Sequence, residues 1–134
     1  MPADTQHPSP SNGTFWAGAI ISGLVVLFLT FDGLGKIIRL APVVEGSERL
    51  GVPASTLLGI GAVLLACTTL YAIPRTAALG AILLTGYLGG AAAIHVRAAS
   101  GVFPVVFSVG MGILVWVGLI LREPRVLAII LPRP

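Results

Sequence analysis

The stretch ASTLLGIGAVLLACTTLYAIPRTAALGAILLTGYLGGAAAIHVR, Ala54 to Arg97, decides the fold. It holds two apolar runs, Ala54–Ile73 and Thr76–Ile94, parted only by Pro74 and Arg75. About 20 residues rising 1.5 Å each cross the roughly 30 Å of hydrocarbon in a bilayer. Each run is therefore a membrane span in length and composition. Pro53 suits the first turn of a helix, and Pro74 cannot continue one without losing a hydrogen bond. A break this short between two long helices makes an antiparallel hairpin.

Working outward, Phe15–Phe31 forms a span on the N-terminal side, and DGLGKIIRLA extends the helix towards Ala41 until Pro42 stops it. Pro42–Pro53 mixes Pro, Gly and charge and reads as an extramembrane loop or a short surface helix. On the C-terminal side Val102–Leu121 is a fourth span, closed by Arg122-Glu123-Pro124-Arg125. The expected fold is an all-α integral membrane protein, a four-transmembrane-helix antiparallel bundle over residues 15–125. Its spans cover about 15–31 extending towards 41, 54–73, 76–96 and 102–121. A disordered tail, 1–14, precedes it, and a short tail, 126–134, follows.

Composition agrees with a bilayer as solvent: the 134 residues are 56% hydrophobic and 10% charged, with a mean hydropathy of +1.01. Backbone groups in lipid must pair internally, which leaves helices or a closed barrel, and no alternating ten-residue pattern supports a barrel. The tail before Phe15 has no Lys or Arg, unlike the basic start of a cleaved signal peptide, so the first span is expected to be retained. His7 within it reads as a solvated residue.

Several functions are excluded. The net charge of +3 comes from scattered basic residues, with none of the clustering that nucleic-acid binding requires. Cys67 is the only cysteine, so one chain has no internal disulfide, dithiol redox pair or cysteine cage for a metal. There is no metal-ligand set and no second membrane histidine for bis-histidine haem ligation. The glycines of GYLGG lie inside a span and do not form a phosphate loop.

Topology sorts the charges. The end of the first span, the long loop, the end of the third span and the start of the fourth share one membrane face. Asp32, Lys36, His95 and Arg97 gather there. Asp32 and Lys36, four apart, lie on one helix face. Ionisable groups beside hydrocarbon are costly unless paired or hydrated, which makes this cluster the candidate site. A helix-stabilising ion pair and a snorkelling arginine account for the same residues structurally. His95 suits either a proton relay or an interfacial cap. On the positive-inside rule Arg75, Arg122, Arg125 and Arg133 stand against Lys36, Arg39, Arg49 and Arg97, and the C-terminal three tilt both termini towards the cytoplasm.

Small residues recur four apart in the spans, as at Gly86 and Gly90, Gly89 and Ala93, and Ser108 and Gly112. Gly86, Gly89, Gly90 and Gly112 are thus expected at helix-packing surfaces, within the bundle or between copies.

DGLGK at the end of the first span, LYAIPRTAALGAILLTGYLGGAAAIHVR across the hairpin and WVGLILREPRV near the C-terminus together resemble the DoxX-like family of bacterial membrane proteins. The resemblance implies a four-helix bundle in the bacterial cytoplasmic membrane. It also implies a link to quinone-dependent or membrane-associated redox complexes, with recurring polar positions at Asp32, Lys36, His95 and Arg97. No cofactor is evident in the residues themselves, and a quinone is the one the resemblance allows. Two functions follow as expectations. One is an accessory or quinone-interacting subunit of a membrane redox assembly, with a redox partner or a second copy beside it. The other is a non-enzymatic assembly factor or chaperone that packs against other transmembrane helices.

Overall fold

The computed structural model of the chain describes residues 12–131. Its helices are α1 (Asn12–Ile37), α2 (Ala41–Arg49), α3 (Leu57–Ala72), α4 (Ala77–Arg97), α5 (Val102–Arg122) and α6 (Pro124–Ile130), with a 3₁₀ turn at Ala54–Thr56 leading into α3. Among the described residues there is no strand. Four helices are long and apolar enough to cross a membrane: α1, α3 with its leading turn, α4 and α5. The chain is an all-α four-helix membrane bundle. Helix α1 begins at Asn12, three residues before the expected span, and His7 and Arg133 lie outside the described residues.

α1 packs on α3 and α5, and α4 packs on the same two, so α1 and α4 face each other across a square. Short connections force alternate directions. α1 and α4 rise from the face that holds the chain ends, here the terminal face, to the opposite loop face, and α3 and α5 return. The interior is a single cluster that includes Val25 and Leu29 of α1, Leu64 and Tyr71 of α3, Ala81 and Leu84 of α4, and Val115 and Leu119 of α5. The outward surface is apolar as well, with Trp16, Leu27, Phe31, Val102 and Phe103 exposed as lipid-facing residues must be. Pro42 and Pro124 each sit in the first turn of a short helix, where the missing N–H costs nothing. Gly51, at φ 77°, supplies the left-handed residue that turns the chain out of α2 towards α3.

Towards the terminal face the bundle is drawn tight by glycines. A Cβ at Gly18 would stand 2.7 Å from the Arg122 nitrogen and 2.9 Å from the Gly118 carbonyl oxygen, so α1 and α5 touch backbone to backbone. A Cβ at Gly80 would overlap the backbone of Tyr71, which pins α4 to α3 beside the Pro74 turn. Tyr71 is fully buried, and its hydroxyl donates to the Val115 carbonyl at 2.7 Å while accepting from Ser22 Oγ at 3.0 Å. The ring carries the Arg122 guanidinium 4.9 Å above it, and Arg122 Nη2 donates to the Tyr71 carbonyl at 3.1 Å. One side chain therefore ties α1, α3 and α5 together.

Candidate functional site

Towards the loop face the same four helices line a partly open cavity of about 490 Å³. α1 contributes Phe28, Asp32 and Lys36, α3 contributes Ile60, α4 contributes Tyr87 and His95, and α5 contributes Phe107 and Met111. Ser47, Leu50 and Val52 roof it from the α2 segment. Phe28 and Phe107 meet edge to face at 5.3 Å and close the wall between α1 and α5. A Cβ at Gly61 would lie 2.8 Å from the Gly33 carbonyl oxygen, so α1 and α3 are sealed against each other as well.

The polar end of the cavity is small. Asp32 and Lys36 form an ion pair one helical turn apart, and both are partly buried. The pair cancels most of the cost of placing charge beside hydrocarbon. His95, in the last turn of α4, lines the same cavity, and its Nδ1 is buried without a hydrogen-bond partner. A buried imidazole nitrogen left unpaired costs on the order of 1–3 kcal/mol, so this atom is poised for a partner that the described residues do not supply. Together the groups offer an ammonium donor, a carboxylate acceptor and an imidazole that can donate or accept, above a floor of aliphatic and aromatic side chains. Such a site suits a neutral molecule with a compact hydrogen-bonding head and an apolar body. Among the described residues no three His, Cys, Asp or Glu side chains gather as a metal site.

Of the four residues in the sequence-derived cluster, the structure brings Asp32, Lys36 and His95 to one cavity. Arg97 lies outside it, exposed at the end of α4, with its guanidinium 3.9 Å from where a Cβ on Gly51 would stand. Two positions along α4 rotate the side chain by about 200°, so His95 lines the cavity while Arg97 is turned away and exposed.

The family model for the DoxX-like family matches residues 20–118, three-quarters of the chain. The chain belongs to the DoxX-like family. The match runs from the first turns of α1 to the last of α5 and so includes every transmembrane residue of the cavity. No curated protein and no solved structure matches this DoxX-like chain.

The four glycines expected at packing surfaces, Gly86, Gly89, Gly90 and Gly112, make no close approach inside the bundle. A Cβ added at Gly86, Gly89 or Gly90 would meet nothing within 4 Å, and one at Gly112 would only graze Leu88 at 4.0 Å. Within this DoxX-like bundle the close approaches belong to Gly18, Gly33, Gly61, Gly80 and Gly118 instead. Spacing by four places residues on one helix face without saying which face is inward. Tyr87 joins the cavity as well. Its spacing of four from Ala91 and eight from His95 along α4 is the signal that places all three on one stripe.

Proposed function

We propose that this DoxX-like protein is the quinone-interacting subunit of a membrane redox assembly. The observation that carries the reading is His95 with its unpartnered Nδ1 in the same cavity as the Asp32–Lys36 pair, beneath which the lining is apolar. A quinone has two carbonyl oxygens on an apolar ring. One would accept from Lys36 Nζ or the His95 ring, and the ring would lie among Phe28, Ile60 and Met111. The quinone would supply two-electron, two-proton redox chemistry. The chain's own residues would bind and orient it, with Lys36 and the His95 ring hydrogen-bonding its oxygens and Asp32 holding the Lys36 ammonium in place. The electrons would come from a redox partner. We place the protein in the bacterial cytoplasmic membrane with both termini in the cytoplasm, a reading supported by the grouping of Arg122, Arg125 and Arg133 in the C-terminal sequence. Reporter fusions to the C-terminus test that placement.

Titration of the nanodisc-embedded protein with a soluble quinone analogue tests the main reading. Loss of one hydrogen bond to the head should weaken binding about tenfold in His95→Ala, the equivalent of 1.4 kcal/mol. Absence of binding to the unaltered protein, together with absence of redox proteins co-purifying from the native membrane, removes the proposal.

One observation favours the assembly-factor reading. A second groove of about 430 Å³ runs along the outside of α4 and α5, lined by Thr85, Gly89, Gly112 and Trp116. Small residues on an open helix face admit another transmembrane helix closely. Gly89→Leu should then abolish recovery of a membrane partner that His95→Ala leaves intact.

A further inference from the structure

We infer that the cavity is reached from within the bilayer, through a gap between α3 and α4 that Gly86 and Gly90 hold open and Tyr87 borders. Its ligand is then a lipid-dissolved molecule whose apolar tail leaves along that gap. The inference rests on the quinone reading for the identity of the head group, and on the geometry of α4 for the route.

Leu84 and Leu88 mark the inward face of α4, being buried. At about 100° per residue, Gly86 lies roughly 160° from both, on the back of the helix. A residue there has no reason to line a cavity confined to the bundle interior. Gly86 and Gly90 nonetheless line it, are exposed, and have nothing within 4 Å of an added Cβ. The cavity therefore continues round one flank of α4 to the lipid.

Two sets of contacts say which flank. Thr85 and Leu88 face α5, because Trp116 Nε1 donates to Thr85 Oγ1 at 2.7 Å and Leu88 approaches Gly112. Gly80 faces α3, where it meets the Tyr71 backbone, and Tyr87 and Ile94 follow at steps of seven on the same stripe. Gly90 lies one step beyond that stripe, away from the core. The α3–α4 hairpin is thus pinned at its turn by Gly80. Further along, it presents Ile60 on one side and Tyr87 with the bare backbone of Gly86 and Gly90 on the other. Asp32, Lys36 and His95 line the cavity behind this gap among mostly apolar side chains, so a molecule with a hydrogen-bonding head and an apolar tail matches the route. The competing route is from water, past the α2 roof.

The test uses the full chain in nanodiscs. Tyr87→Trp is made in a Trp16→Phe/Trp116→Phe background, and its fluorescence is quenched by phosphatidylcholine brominated on the acyl chains. Adding Gly86→Leu/Gly90→Leu should plug the gap and reduce quenching at least twofold. Quenching unchanged by the leucines overturns the lateral route. The binding arm compares a decyl-tailed benzoquinone with the same ring lacking a tail. The leucines should weaken the tailed compound at least tenfold and the bare ring less than threefold, while Gly89→Leu leaves both unchanged. Equal affinity of both compounds for the plugged and unplugged proteins also overturns it. Quenching that falls without any quinone binding upholds the gap and removes the quinone.

Discussion

The bundle uses glycine in two opposite ways, and α4 shows both, one towards each end. Towards the terminal face, Gly18, Gly80 and Gly118 sit where any side chain would strike a neighbouring helix, and the space they leave is filled by backbone and by Tyr71. Towards the loop face, Gly86 and Gly90 sit where a side chain would strike nothing, and the space they leave stays open. The first group lends stability and the second lends volume. A bundle with both can hold a cavity at one end because its other end is closed rigidly enough to fix the four helices.

The sharpest way to break this contrast is one methyl group in each half. Gly80→Ala drives its Cβ into the Tyr71 backbone, which has no flexible atom to yield, and should destabilise the protein by about 3 kcal/mol. Gly86→Ala should instead be neutral or stabilising by up to about 1 kcal/mol, since alanine favours helix and meets no neighbour. Unfolding by SDS from mild-detergent micelles measures both, and equal losses would erase the distinction.

Next in size is Tyr71→Phe, which keeps the ring but strips the Ser22 hydroxyl and the Val115 carbonyl of their partner. A loss of about 1–2 kcal/mol is expected, with Ser22→Ala adding little once the phenol is gone. In the open half, Lys36→Met leaves the Asp32 carboxylate alone. Because the pair is only partly buried, the cost should be about 1 kcal/mol or less, and adding Asp32→Asn should recover it. Trp116→Phe, which removes the hydrogen bond to Thr85 across the α4–α5 flank and trims a ring that packs on the core, should cost about 0.5–1 kcal/mol.

The open half was more legible in the sequence than the closed one. Pro53, Pro74 and the polar breaks mark the spans, and an even number of spans returns the chain to its starting face. That places Asp32, Lys36 and His95 on one membrane face, and the cavity there holds all three. Arg97 is two residues from His95 and was grouped with it, because chain position alone does not resolve a half-turn of helix. The knot around Tyr71 left no trace of its own. Its partners lie 49 and 44 residues away, at Ser22 and Val115, and nothing local marks a tyrosine as bonded across the bundle. The glycine roles were hidden for a related reason. A span apolar on every side shows no periodicity that separates the face turned to neighbouring helices from the face turned to lipid. Only Gly80 against Tyr71, or Gly18 against Arg122, reveals which glycines are needed inside.

The Asp32–Lys36 pair has an electrical consequence. A membrane potential does about 2.3 kcal/mol of work per 100 mV on each elementary charge that crosses the full membrane. Opposite charges held one helical turn apart, at similar depth, present a short dipole on which that field does little net work. Were a neutral molecule to occupy the cavity, its binding would be insensitive to voltage, as strong in an energised membrane as in one that is not.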